Sequence, residues 1–250
     1  MTAKVITIAN QKGGTGKTTT LVSVSGQLAA TNHKVLDVDF DPQGDDSIAM
    51  GLLQESGAFN VLVNHTQDPM QWVRMTGRKN LEIIPGDRST ASAQILLNAE
   101  NRSLDAIRQA LHPLLPHYHY IFIDTAPSVG GIQERAVFAA DYVLIPTATE
   151  FLSSNGLMQM MSSLKHLAQR GWDGKLLGIL PTFYDDSTKE SRTTLEEITK
   201  EFGEAVLAPI HRATILRECA AEGRMVHEMD PLHRATREYA ALMNYILQNT

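Results

Sequence analysis

One cysteine, Cys219, occurs in 250 residues. That excludes an internal disulfide and any cluster needing several thiolates from a single chain, and it leaves Cys219 as a small buried hydrophobe. No apolar run approaches the ~18 uninterrupted residues of a membrane span. The opening MTAKVITIAN has neither the apolar stretch nor the cleavage site of a secretory leader, so the expected location is cytoplasmic. Basic residues are outnumbered, 22 Lys and Arg against 28 Asp and Glu, for a net charge of −6. Such a surface is not attractive to nucleic acid as a whole, and only a local basic patch could serve. Internal repeats, low-complexity tracts and linkers are also missing. The remainder, 43% apolar and 20% charged, is ordinary for a globular protein, and its length suits one large α/β domain spanning residues 1–250.

Short β-branched or apolar runs fall at 4–9, 34–40, 81–85, 119–124, 142–146, 175–182 and 205–210. Helical spacing is found at 17–30, where Leu21, Val24 and Leu28 recur, and near 101–111, 131–140, 153–169, 190–203, 213–222 and 232–247. The stretch 53–80 is polar and reads as helix plus loop. Strands too apolar to have a wet face, alternating with helices, predict a mostly parallel twisted sheet with helices on both faces. Ligands of such sheets sit at the carboxyl ends of the strands.

The first strand runs straight into NQKGGTGKTTT at 10–20. Gly13, Gly14 and Gly16 allow backbone N–H groups to turn inward around phosphate oxygens, beside Thr15, and the helix that follows points its positive end at the same anion. Lys17 is placed to bridge β- and γ-phosphates, the Thr18 hydroxyl to ligate Mg²⁺, and Thr19 to reach the α-phosphate. Hydrolysis also needs a carboxylate on the metal side and a group that orients water. Asp124 in IFIDTAPS ends an apolar strand and suits the first role. Asp41 in VDFDPQGD suits the second, with Asp39 in support and Pro42 and Gly44 turning the chain. His117 and His119 alternate on a strand without the Cys or carboxylate neighbours of a zinc site. Met158, Met160 and Met161 with Leu157 and Leu164 form a helical stripe suited to core or subunit packing.

KGGTGKTT, DFDPQGD and FIDTAPS, in this order, resemble the ParA/MinD group of deviant Walker A P-loop ATPases. IIPGDRSTASAQ, VLIPTATEFLSSNGL, GILPTFYDDSTKES and the tail through IHRATILRE to YAALMNYI are similar to blocks of the small Soj-type ParA partition proteins. The resemblance covers nearly the whole chain. It implies a P-loop NTPase fold, ATP and Mg²⁺ as cofactors, and an ATP-dependent sandwich homodimer. It makes Lys12 the signature lysine, reaching across the interface to phosphates held by the other subunit, in the manner of an arginine finger supplied in trans. It further implies nucleoid-associated, non-specific DNA binding, a ParB-like centromere-binding or adaptor partner, and segregation of plasmid or chromosome DNA. A related ATPase positioning a protein cargo, such as a carboxysome or chemoreceptor array, and a small-molecule enzyme on the same loop are the alternatives.

The chain departs from the family pattern at Asp37, inside the second strand, at Asp45 after DPQG, at Thr149 before Glu150, and at His211 before Arg212. Because the chain begins at its first strand, no N-terminal helix-turn-helix is expected. Between Lys189 and Thr250 there are eight Lys and Arg against ten Asp and Glu, so a DNA surface must be assembled by folding and dimerisation. Its candidate contacts are Lys189, Arg192, Arg212, Arg217, Arg224, Arg234 and Arg237. The ending REYAALMNYILQNT has no Lys or Arg after Arg237 and carries Leu242, Met243, Ile246 and Leu247. It reads as a core-packing helix and not as the basic membrane helix of MinD-type proteins. A single cysteine argues against the iron–sulfur reductase relatives.

Overall fold

The computed structural model describes residues 2–64, 66–128, 130–150 and 153–250, with only the backbone of 153–155. In chain order the elements are β1 (Lys4–Ile8), α1 (Lys17–Ala30), β2 (Val35–Phe40), α2 (Asp45–Ala49), α3 (Gly57–Val63), β3 (Arg74–Met75), β4 (Leu81–Ile84), α4 (Ser89–Ala99) and α5 (Ala106–Leu111). There follow β5 (Tyr120–Thr125), α6 (Gly131–Ala139), β6 (Tyr142–Ala148), α7 (Ser153–Gln169), β7 (Lys175–Thr182), α8 (Lys189–Phe202), α9 (Ile215–Glu222), α10 (Val226–Met229) and α11 (Arg234–Asn249).

The strands form one sheet in the order β3-β4-β2-β5-β1-β6-β7. All neighbours pair in parallel except β3, a two-residue antiparallel edge against β4. Strand side chains alternate between faces, and two cores result. Leu36, Val38, Phe40, Ile121 and Ile123 pack with Ile107, Val137 and Leu164 on one face. Ile6, Ile8, Val35, Tyr120 and Phe122 pack with Leu21, Leu28, Tyr239 and Ile246 on the other. The same alternation puts Asp37, Asp39 and Asp124 on the second face, toward α1. As the pattern of the tail suggested, α11 buries Leu242, Met243 and Ile246. It is also tied to α1 by Gln27 Nε2, which donates to the Thr236 carbonyl at 3.1 Å. In the methionine stripe, Leu157, Met160 and Leu164 enter the core while Met158 stays on the exposed side.

Three expectations about elements need correction. Residues 205–210 are not a strand of the sheet. One isolated bridge, Ile179 with Val206, joins them to β7, and a second, Tyr184 with His211, lies just beyond both segments. Leu207 N–H and Ile210 N–H do donate to Ile179 and Pro181 carbonyls, but Pro209 between them has no N–H and breaks the ladder. The helix expected at 101–111 begins only at Ala106, and an unforeseen helix, α4, precedes it, starting inside the GDRSTASAQ block and running on to Ala99. The polar stretch 53–80 holds α3 and the edge strand β3. Phe151 and Leu152 of the VLIPTATEFLSSNGL block, and Val129 beyond FIDTAPS, lie outside the described residues.

Candidate nucleotide-binding site

Strand register sets the site. Ile8, Asp124 and Asp39 are direct neighbours across β1, β5 and β2, at the carboxyl ends of the three central strands. From β1 the chain enters the loop, where Gly14 (φ 68°) and Gly16 (φ 80°) both take left-handed conformations that favour glycine. Gly16 caps α1, and its carbonyl accepts from Thr20 N–H at 2.9 Å. Gly13 has no such φ; a Cβ there would reach ordinary contact with Pro127. Thr15 is buried, and its carbonyl accepts from Thr182 Oγ1 at 2.9 Å, fixing the loop to the end of β7.

Lys17 is buried in the first turn of α1. Burial holds its pKa below the ordinary lysine value, and the nearby carboxylates of Asp124 and Asp41 work against that shift. Thr18 Oγ1 donates to Asp124 Oδ2 at 2.5 Å. Asp124 is completely buried, and burial raises its pKa to about 7 in spite of the Thr18 hydrogen bond and the Lys17 charge. A buried carboxyl poised in this way is one that a cation would hold ionised. Together with the Thr18 hydroxyl it offers the hard oxygen donors that Mg²⁺ prefers, so the residues present fit that ion.

Asp41 is buried at the start of the turn after β2. Its Oδ1 accepts from Gln43 N–H at 2.9 Å, and its own N–H donates to Asp39 Oδ1 at 3.1 Å. Gly86 lies so close that a Cβ would stand 2.4 Å from the Asp39 carbonyl oxygen, so only glycine lets the loop after β4 cover the acid. Lys17, Thr18, Asp41 and Asp124 are therefore brought together. Thr19 is half-buried one residue further along α1 and lines the same end of the helix, beside Thr18.

The backbone at Lys12 is anchored to a different part of the fold. Its N–H donates to Asn10 Oδ1 at 2.9 Å, while Asn10 Nδ2 donates to the Pro146 carbonyl at 2.7 Å. Gln11 Nε2 donates to Ser163 Oγ on α7 at 2.8 Å. Gly156 of α7 closes the arrangement: a Cβ there would come within 2.9 Å of the Lys12 Cβ. Gln133 of α6 donates to the carbonyls of Asn10 and Ala126, joining this strap to the segment after Asp124. One loop thus carries two lysines in different settings, Lys17 buried toward the acids and Lys12 half-buried.

A family model described as an AAA domain matches residues 3–176. The chromosome partitioning protein ParA of Myxococcus xanthus is 33% identical over 245 residues, covering 96% of this chain and 86% of that protein. The chain belongs to the ParA/Soj family. The sporulation initiation inhibitor protein Soj of Bacillus subtilis is 32% identical over 252 residues, covering 98% of this chain and 99% of Soj. Among solved structures, a McdA–ATP complex from Cyanothece superposes with a TM-score of 0.87 at 22% identity, covering 98% of this chain and 96% of that one. Cobyrinic acid a,c-diamide synthase from Mycobacterium smegmatis, with a bound ATP analog and magnesium, gives 0.84 at 28% identity, covering 98% and 95%. The sheet of this ParA/Soj chain is thus the P-loop NTPase architecture that its motifs implied.

Three of the four departures from the ParA pattern, Asp37, Thr149 and His211, find local partners. Asp37 is fully buried and accepts from Ser25 Oγ of α1 at 2.6 Å. Thr149 Oγ1 shares a 2.7 Å hydrogen bond with Ser191 Oγ, tying the end of β6 to α8. His211 contributes both its ring Nδ1, 2.7 Å from Glu238 Oε1, and its N–H, 2.9 Å from Glu238 Oε2. A proline there would have no N–H to give. Burial and the Asp41 charge raise the Asp45 pKa. Sequence reading missed Asn10, Gln133, Gly86 and Gly156, and also Asp46, a fully buried acid in α2 whose pKa is pushed well up by burial and by Asp37 and Asp39.

The seven basic residues proposed for DNA are all exposed, and several are engaged. Arg212 pairs with Glu150 at 2.7 Å and lies over the Phe183 ring, and Arg234 pairs with Glu238 at 2.8 Å. Among the described residues, no helix is long and apolar enough to cross a membrane.

Proposed function

We propose that this chain is a one-domain ParA-type ATPase, residues 1–250, that binds ATP with Mg²⁺, closes as an ATP-dependent homodimer and holds DNA without sequence preference. Hydrolysis, stimulated by a ParB-like partner, then drives segregation of plasmid or chromosome DNA on the nucleoid in the cytoplasm. The observation that carries this reading is the convergence of Lys17, Thr18, Asp41 and Asp124 around the mouth of a loop in which Gly14 and Gly16 take left-handed conformations.

In this reading the N–H groups of Gly13 to Thr19 cradle the phosphates and Lys17 neutralises β- and γ-oxygens. Thr18 and Asp124 hold the metal side, where Mg²⁺ supplies charge to the phosphate oxygens. Asp41 orients the attacking water, its carboxylate already fixed by the Gln43 N–H. Lys12 serves the opposite subunit's phosphates. Its backbone strap on α7 supports that role because a rigid base limits the entropy lost when the side chain reaches across.

Asp41→Ala is expected to keep nucleotide affinity and lower turnover by about 10²-fold or more, leaving an ATP dimer detectable by light scattering. Lys12→Ala is expected to bind a fluorescent ATP analogue normally and to lose ATP-dependent dimerisation or hydrolysis. Wild-type behaviour in both assays would remove Lys12 from the interface. The likeness to the diamide synthase gives a second reading, a small-molecule enzyme on the same loop. A steady-state ATPase assay with and without DNA plus the product of a neighbouring gene separates the two, since an enzyme of that kind is indifferent to both additions.

A further inference from the structure

Arg78, in the turn between β3 and β4, makes contacts that the nucleotide chemistry does not use. Its Nε and Nη2 form a two-pronged pair with Glu228 Oε1 and Oε2 at 2.7 and 2.9 Å. Nη1 donates to the Met50 carbonyl and Nη2 to the Gly223 carbonyl, each at 2.9 Å. Met50 caps the C-terminus of α2 and Gly223 that of α9. Glu228 lies in the first turn of α10, where its Oε2 also accepts from Met225 N–H at 2.8 Å. One guanidinium therefore sits at the negative ends of two helices and holds the acid that caps a third. Burial would raise the Glu228 pKa, but the Arg78 and Met225 hydrogen bonds bring it below the ordinary value.

The backbones of α2 and α9 meet directly at this node. A Cβ on Gly223 would fall 2.4 Å from the Gly51 Cα, so nothing bulkier than hydrogen separates them. Beside this node a cleft of about 220 Å³ opens among α1, α2 and α9, lined among others by Thr18, Ile48, Leu216, Cys219 and Arg224. Helices bridged by one guanidinium can shift as a unit.

We propose that Arg78 is a positioning residue that joins the segment after Asp41 to the arginine-bearing C-terminal helices, so that nucleotide binding is transmitted to Arg217 and Arg224. This rests on the ATPase reading above and names its regulation. α2 begins at Asp45, four residues after Asp41. Any adjustment of Asp41 to nucleotide moves α2, and through the Met50–Arg78–Gly223 bridge it moves α9 and α10 with it.

The test is hydrogen–deuterium exchange across 215–230 with and without ATP and Mg²⁺, in the wild type, Arg78→Lys and Glu228→Gln, with affinity for a fluorescent ATP analogue measured in parallel. In the wild type, exchange there is expected to change by about fivefold or more on adding nucleotide, the lower end of ordinary coupling energies. In Arg78→Lys, which keeps the charge and cannot span all four acceptors, the change should vanish while analogue affinity stays within about twofold. Glu228→Gln preserves shape, weakens the pair and should show an intermediate response even if the Arg78 variant folds poorly. A wild type that binds nucleotide with no change at 215–230, or an Arg78→Lys that keeps the full change, overturns the proposal. A wild type that binds no nucleotide overturns the ATPase reading instead.

Discussion

Among single residues, Asp37 is the least expected. It is fully buried on the α1 face of β2, with Ser25 Oγ on one oxygen and no partner on the other among the described residues. Asp46 lies nearby with neither oxygen paired among the described residues. Burial raises the pKa of both well above the ordinary value, and each is raised further by acidic neighbours, Asp124 for Asp37 and Asp37 itself for Asp46. Two buried carboxyls without a cation between them keep a proton. A group whose folded pKa is raised leaves the folded state holding more protons than the unfolded one. Stability then falls as pH climbs above the unfolded value near 4, by about 1.4 kcal/mol per pH unit for each retained proton, until the folded pKa is reached. Asp37→Asn keeps an acceptor for Ser25 and removes the titration. It is expected to raise the melting temperature at pH 8 and to change it little at pH 4.5. Thermal melts at the two pH values decide the matter, and an equal shift at both would show that Asp37 is ionised in the folded protein.

Between elements, the seating of Lys12 on α7 is the contact most open to perturbation. Gly156→Ala puts a methyl group 2.9 Å from Lys12 Cβ and 3.1 Å from Asn10 Oδ1, closer than such atoms tolerate, so the strap must move. Alanine favours the helix by about 1 kcal/mol over glycine, and the fold should survive. The expected result is unchanged affinity for a fluorescent ATP analogue with dimerisation weakened by about tenfold, 1.4 kcal/mol, read by light scattering against protein concentration. An unaltered dimer would show that the strap does not set the reach of Lys12. Sequence could not reveal this docking, because Asn10 meets Pro146 and Lys12 meets Gly156 across more than a hundred residues with no local pattern. Elements bounded by strong local chemistry were legible: the run into the left-handed glycines at 14 and 16, and the apolar strands ending on Asp39 and Asp124. Residues 205–210 misled although the signal against a strand stands in the run itself: Pro209 removes the donor a ladder needs. Asp46 and Arg78 escaped notice because a charge in a polar stretch ordinarily means a solvated surface; only the packing of α2 toward β2 and β5 buries the first, and only the approach of α2, α9 and α10 engages the second.

On the scale of the whole molecule, net charge works against the proposed DNA binding. A chain of net charge −6 gains affinity for DNA only where its arginines cluster, and here several are partly neutralised at home, Arg212 by Glu150, Arg224 by Glu222 and Arg234 by Glu238. One copy should therefore bind weakly. In the proposed ATP-dependent dimer, two copies would double the phosphate contacts on one ligand, which raises avidity without any new contact. Each phosphate neutralised contributes about −0.9 to the slope of log affinity against log salt on duplex DNA. Two contacts from each subunit would give a slope of about −4, so that doubling the salt lowers affinity by about tenfold. Fluorescence anisotropy with a random duplex, titrated from low to moderate potassium chloride with ATP or ADP, measures this directly. The expected outcome is binding that requires ATP, has a slope near that value and loses up to about four units of it in Arg217→Ala/Arg224→Ala, two residues in each of two subunits. Binding that persists in ADP, or that ignores salt, would mean that DNA is not held by an arginine surface assembled through dimerisation.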